Sequence, residues 1–369
     1  MNFEAEGLLD GLQGSEREAR ERLLEHLVSE GFTLEELTQA VAEDRLALLP
    51  VERVLGGTLT ASEVAERTDL PAPVLGRLRR MLGLPDVGPD VRLFGDEDIA
   101  MAQSTQRFID AGLSDNAIGE MTRVLGESMA RLAATTASAF VETFLEPGDN
   151  EYDLAMRFAQ LARELTPAVN PILVAAYQAH LREAVRRGVI GAAEREAGAV
   201  ADAQELAVCF ADLVGFTRMG VEVGAIELGG VARRFAELAN EVTESPVRLI
   251  KTIGDAAMFV SPEPGAMVRI ALTFIDALRE ADMPDLRAGI ALGPAQLRAG
   301  DFYGHSVNLA SRVTAVARPA SVLCTEEVRD AAPDEFDWSF AGKHRLKGVH
   351  GSLPLHRARL PQGDRAPKH

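Results

Sequence analysis

The hydrophobic period of the sequence changes at about residue 203. Upstream, apolar residues recur at helical spacing. Downstream, short apolar runs alternate with amphipathic segments, which confines the second half to a layered sheet-and-helix fold. The run Leu206–Ala211 is short and aperiodic, and it fits a strand buried on both faces. A helix over Ala225–Glu244 follows, with Leu228, Val231, Phe235, Leu238 and Val242 on one face. Val247–Thr252 and Ala256–Val260 then read as a hairpin joined through Ile253-Gly254-Asp255. Met267–Arg279 reads as a helix, Leu286–Leu292 as a strand, Val307–Val316 as a helix and Ser321–Cys324 as a strand. The order β-α-β-β-α-β predicts a ferredoxin-like arrangement elaborated at its C-terminal end, and the whole chain reads as α+β.

A chain of 369 residues exceeds what one hydrophobic core usually holds, so two domains are expected. We read residues 1–196 as all-helical, 197–204 as a linker, 205–360 as the sheet domain and 361–369 as a tail. In the helical half, Ser15 opens a segment reaching Ser29, and Thr33 with Glu36 makes a capping-box pattern. Thr60 with Glu63 repeats that pattern ahead of a short helix. A break at Asp69-Leu-Pro71 and a helix over Val74–Leu82 complete a helix-turn-helix-like unit at about 60–82. This unit resembles the winged helix-turn-helix of MerR regulators, with Arg77, Arg79 and Arg80 on the candidate reading face. Charge opposes that use: residues 1–196 carry a net charge of roughly -15 and no lysine, the reverse of a nucleic-acid footprint. Further helices are expected over Ile99–Ala111, Ser114–Phe144 with Gly126 as an interruption, Tyr152–Glu164, and Pro171 to about Glu196. The last of these is either a transmitting element or a plain linker into the first strand.

The net charge of -18 excludes generic binding to nucleic acid or anionic lipid. Cys209 and Cys324 lie in apolar runs without metal-ligand spacing and read as buried and reduced. No run approaches the ~18 apolar residues of a membrane span, and the acidic start has no signal-peptide core. A soluble cytoplasmic protein, without integral membrane association, is the expectation.

Asp212 ends the first apolar run and Gly215 follows in a turn whose amides can cradle an anion. On that segment alone an Asp capping the next helix is the commoner use. Asp255, at the hairpin turn, can lie beside the end of the first strand. Two carboxylates there would suit Mg2+ or Mn2+. Phe210-Ala-Asp-Leu-Val-Gly-Phe-Thr217, Lys251-Thr-Ile-Gly-Asp255 and Asp301-Phe-Tyr-Gly-His-Ser-Val-Asn308-Leu-Ala-Ser-Arg312 occur in order, and together they resemble the signature blocks of class III nucleotidyl cyclases across about residues 203–358.

The resemblance implies an adenylate cyclase, and it implies roles for these residues. Asp212 and Asp255 match the ligands of two divalent cations. Val214, Gly215, Phe216 and Thr217 match the loop that holds the phosphates. Lys251 and Asp301 match the purine-reading pair, with the donor and acceptor polarity of adenine rather than guanine. Asn308 and Arg312, four apart on one helical face, match the groups that orient the ribose and stabilise the reacting phosphate. Lys347, within Arg345-Leu-Lys-Gly348, sits near the family's phosphate-contacting lysine, although Val349-His350 departs from the common pattern. In this family each site draws on two subunits, so a head-to-tail homodimer with two shared sites and ATP as substrate is implied. Competing readings are a guanylate cyclase, a diguanylate cyclase, which lacks its hairpin motif here, and a helix-turn-helix regulator with a degenerate cyclase domain. Glu6-Gly-Leu-Leu-Asp-Gly11, the helical half and Trp338-Ser-Phe-Ala-Gly342 further resemble the mycobacterial pH-sensing adenylate cyclases. That likeness implies autoinhibition by the helical half, release by acid and fatty acids as its ligands.

Overall fold

A computed structural model of the chain describes residues 2–88, 90–196, 203–349 and 351–361, without the side chains of 187–196 and 225–226. It divides into two compact units, 1–193 and 194–369. Most of the expected linker (197–202), His350 and most of the expected tail (362–369) lie outside the described residues.

The first unit is helical: α1 (Gly14–Ser29), α2 (Leu34–Ala42), α3 (Leu49–Leu55), α4 (Ala61–Glu66), α5 (Ala72–Met81), α6 (Asp96–Asp110), α7 (Asp115–Phe144) and α8 (Glu151–Glu196). Both expected capping boxes form. The Thr33 N–H donates to Glu36 Oε2 at 2.7 Å and the Glu36 N–H to Thr33 Oγ1 at 3.3 Å; Thr60 and Glu63 repeat the exchange at 2.7 and 3.2 Å. Leu8 and Leu9 join Leu23, Leu24, Leu27 and Leu37 in one core, while Val64, Leu75, Leu78 and Ile118 form a second around α4 and α5. The arginines of α5 are engaged within the chain. Arg77 pairs with Asp115 at 3.5 Å, Arg80 with Asp86 at 2.9 Å, and Arg79 donates to the Pro85 carbonyl at 2.9 Å.

Two expected breaks are absent. α7 runs without interruption through Gly126, which is buried against α5: a Cβ there would lie 2.5 Å from the Leu82 carbonyl oxygen. The glycine serves close approach rather than termination. Gly126→Ala therefore trades a helix-propensity gain of about 1 kcal/mol against overpacking of about 1–3 kcal/mol. We expect a melting temperature lower by roughly 2–6 °C; a rise would show that propensity wins. The separate helices expected over Tyr152–Glu164 and from Pro171 are one helix, α8, with Pro167 and Pro171 inside it. Being four apart, the prolines share one exposed face, so the carbonyls that lose a donor meet water.

The second unit contains β1 (Gln204–Leu213), α9 (Phe216–Glu222), α10 (Ala225–Glu241), β2 (Arg248–Ile253), β3 (Ala256–Ser261), α11 (Pro264–Glu280), β4 (Leu286–Arg298), β5 (Asp301–Tyr303), α12 (His305–Val316), β6 (Ser321–Thr325), α13 (Glu326–Ala331), β7 (Ser339–His344) and β8 (Leu353–Ala358). The strand order is β2-β3-β1-β4-β6-β8-β7, with β5 paired to β4. The expected βαββαβ core is present, and β7 and β8 are its C-terminal elaboration. α9 and β5 go beyond the sequence expectation, β4 extends to Arg298, and α10 stops at Glu241.

Alternation along β1 explains the two-sided burial. Ala207, Cys209, Ala211 and Leu213 face a core shared with α10, α11 and α13, and Leu206, Val208 and Phe210 face one shared with α12. Cys209 and Cys324 are free and buried, as expected, and burial pushes the Cys209 thiol up to about 12. Among the described residues no helix is long and apolar enough to cross a membrane.

Candidate active site

Central placement of β1 fixes the first acid. Asp212 is paired across from Ala256 on β3 and from Arg287 on β4. Because Ala256 immediately follows the hairpin turn, this register sets Asp255 beside Asp212. The Leu213 N–H donates to the Asp255 carbonyl at 3.0 Å and locks the arrangement. Gly254, at φ 59°, makes the tight turn possible. Burial, and secondarily the charge of Asp212, raises the proton affinity of the Asp255 carboxyl above that of an ordinary carboxylate. Two adjacent carboxylates of this kind could hold a hard cation through their oxygens.

Arg287 currently supplies the compensating charge. Its guanidinium donates to Asp212 Oδ2 from Nε at 2.8 Å and also from Nη2. Sequence reasoning missed this residue: Leu286-Arg287-Ala288 carries no motif, and only the β1–β4 register brings it to Asp212 from 75 positions away.

The glycine turn forms, but the Val214 amide expected among its anion donors is taken within the chain. Gly215 is left-handed at φ 84° and begins α9. The Val214 N–H is already donated to the Asp285 carbonyl at 2.8 Å, whereas Gly215, Phe216 and Thr217 have amide donors without a protein acceptor among the described residues. These three, at a helix start, are the available anion donors of that loop.

Lys251 on β2 and Asp301 on β5 are brought into a direct ion pair. The Phe302 N–H donates to Asp301 Oδ1 at 2.8 Å, which holds the carboxylate in one orientation. The pair is about two-thirds buried, with side-chain exposures of 32% and 28%.

α12 carries Asn308 and Arg312 and is tied to the sheet beside the acids. Thr314 Oγ1 donates to the Phe210 carbonyl at 3.0 Å, two residues before Asp212, and Ser306 Oγ donates to the Pro294 carbonyl at 3.0 Å. Gly289 permits the contact, since a Cβ there would lie 2.2 Å from the Thr314 nitrogen. The turn bearing Lys347 lies over Arg312, where a Cβ on Gly348 would be 2.7 Å from Arg312 Nη1. Thus the structure forms three groups: Asp212, Asp255 and Arg287; Lys251 and Asp301; Asn308 and Arg312 with the Lys347 turn. Among the described residues no hydrogen bond or ion pair joins one group to another.

Comparison with known proteins identifies the family of both units. The adenylate cyclase regulatory domain family matches residues 1–185, and the adenylate and guanylate cyclase catalytic domain family matches residues 199–356. A pH-sensitive adenylate cyclase of Mycobacterium tuberculosis is 38% identical over 95% of this chain and 91% of its own. An adenylate cyclase of Streptomyces coelicolor is 32% identical over 76% of this chain and 74% of its own. Of solved structures, the adenylyl cyclase CyaB of P. aeruginosa is 19% identical, covering 44% of this chain and 98% of its own with a TM-score of 0.39. Identity across nearly the full length, the two family matches in series and the cyclase-like site together place the chain in one family: it belongs to the adenylate cyclases that carry an N-terminal regulatory domain.

Proposed function

We propose that the chain converts ATP to 3′,5′-cyclic AMP and pyrophosphate at two equivalent sites, each shared between two copies. The observation that carries this reading is the register that sets Asp212 beside Asp255 at the edge of the Gly215 turn. Asp212 and Asp255 would hold two divalent cations, Mg2+ or Mn2+, which when bound acidify the ribose 3′-hydroxyl and neutralise triphosphate charge. The amides of Gly215, Phe216 and Thr217 receive phosphate oxygens, with Lys347 as a further cation. Lys251 donates to adenine N1 and Asp301 accepts from the exocyclic amine; guanine presents the opposite polarity at that edge. Asn308 positions the ribose, and Arg312 stabilises charge on the α-phosphate as the 3′-oxygen attacks and pyrophosphate leaves. The separation of these groups into unlinked sets within one chain supports completion of each site by a second copy.

The helical half is proposed to hold the cyclase back near neutral pH and to release it in acid; the Mycobacterium tuberculosis relative is named as pH-sensitive, which supports a dependence on pH. Fatty acids are proposed as ligands of the same unit, where α8 exposes Leu181 and Val185 beside Arg182 and Arg186. The test incubates the full chain and residues 200–369 with Mn2+ and ATP or GTP from pH 5.5 to 8. Cyclic AMP from ATP, little product from GTP and a truncated form more active at neutral pH are expected. Equal activity of the two forms at every pH would remove autoinhibition, and GTP preference would remove the base assignment.

A further inference from the structure

The Arg312 guanidinium stands where a side chain at position 348 would begin. A Cβ on Gly348 would lie 2.7 Å from Arg312 Nη1 and 3.4 Å from both Cζ and Nη2, so the bare α-carbon faces the whole planar fork. The backbone around it is a closed turn: the Val349 N–H donates to the Leu346 carbonyl at 3.1 Å, and Gly348 occupies the third position at φ 72°. That turn is fastened to α12. Leu346, 6% exposed, belongs to the same core as Leu309 and Val313, and Val349 packs against it. The guanidinium itself has no hydrogen-bond or ion-pair partner among the described residues. A long side chain without such a partner keeps several rotamers unless packing removes them.

We propose that Gly348 is a positioning residue for Arg312. Its missing side chain lets the guanidinium lie against the turn, so that the turn sets the aim of Arg312 and presents Lys347 and Arg312 as one cationic unit. This inference rests on the reading of Arg312 as the group that stabilises the reacting phosphate. Gly348 is then a glycine for two separable reasons, its left-handed backbone and its contact. Gly351 provides the comparison: it has φ 82°, but a Cβ there meets nothing within 4 Å.

The experiment measures kcat, KM for ATP and melting temperature in the full-length chain for Gly348→Ala, Gly351→Ala, Arg312→Ala and the double variant Gly348→Ala with Arg312→Ala. A displaced guanidinium should lower kcat by about 10–100-fold in Gly348→Ala, since misplacement by about 1 Å can cost on the order of 100-fold. KM should change by less than about 3-fold, and Gly351→Ala should lose less than about 3-fold in kcat, because it carries backbone strain alone. The double variant should be no slower than Arg312→Ala, the signature of two residues acting through one group. Equal losses in Gly348→Ala and Gly351→Ala, or losses that multiply in the double variant, would overturn the inference. If Arg312→Ala loses less than about tenfold in kcat, the reading beneath fails instead. Should Gly348→Ala be too unstable to assay, removing the guanidinium should restore its melting temperature relative to Arg312→Ala; an undiminished deficit would overturn the proposal.

Discussion

Asp212→Ala is expected to abolish cyclic AMP formation, lowering kcat by at least about 10³-fold, or about 4 kcal/mol of transition-state stabilisation. The acid stands on a central strand paired on both sides, so no neighbouring carboxylate can move into its place. Removal of Asp212 also leaves Arg287, which is 34% exposed, without its partner and beside Asp255. Solvent access keeps the stability cost of that small, so the melting temperature should stay close to that of the parent. Asp212→Asn separates charge from shape. It retains an acceptor for Arg287 but not the anionic oxygen, and it should be nearly as inactive as the alanine variant. More than about a tenth of the parent activity in either variant, at saturating Mn2+, would remove Asp212 from the metal pair.

The second large effect is a recovery. Asp212→Ala and Arg312→Ala should each be inactive, because arginines at reacting phosphates contribute on the order of 10³–10⁵ to rate. Mixed and allowed to exchange subunits, they should regain roughly a quarter of the parent activity, since half of randomly assorted dimers are mixed and each mixed dimer has one of two sites intact. Sites contained within one chain would give no recovery. The measurement tests the shared site directly and is independent of the base-recognition assignments.

The sequence was most legible where local chemistry and tertiary structure ask for the same thing. Thr33 with Glu36 and Thr60 with Glu63 began helices as read, because a capping box is satisfied within four residues. The hairpin around Gly254 was readable for the same reason. Errors arose where a residue type has two uses. Gly126 read as a break and is a contact with the end of α5; the stretch from Glu164 to Pro171 read as a boundary and lies within a continuous helix. α9 escaped notice because seven residues containing Gly220 leave no periodic signal. In the site, Asp212, Asp255, Lys251 and Asp301 were read as motif members, but Arg287 and Thr314 were not, and Gly348 was read only as a flank of Lys347. Their placement depends on which backbone lies opposite, and that is a property of register rather than of composition.

β1 has a mechanical consequence for any signal that enters the sheet unit at Gln204. It is laddered to β4 from Gln204 to Leu213 and to β3 from Ala207 to Asp212, and Thr314 grips it at Phe210. Sliding by one residue would exchange its two buried faces, turning Ala207, Cys209 and Ala211 toward α12 and Leu206, Val208 and Phe210 away from it. The strand therefore has no travel of its own. Its two ladders hold Asp212 in a fixed position relative to β3, β4 and the hairpin that carries Asp255.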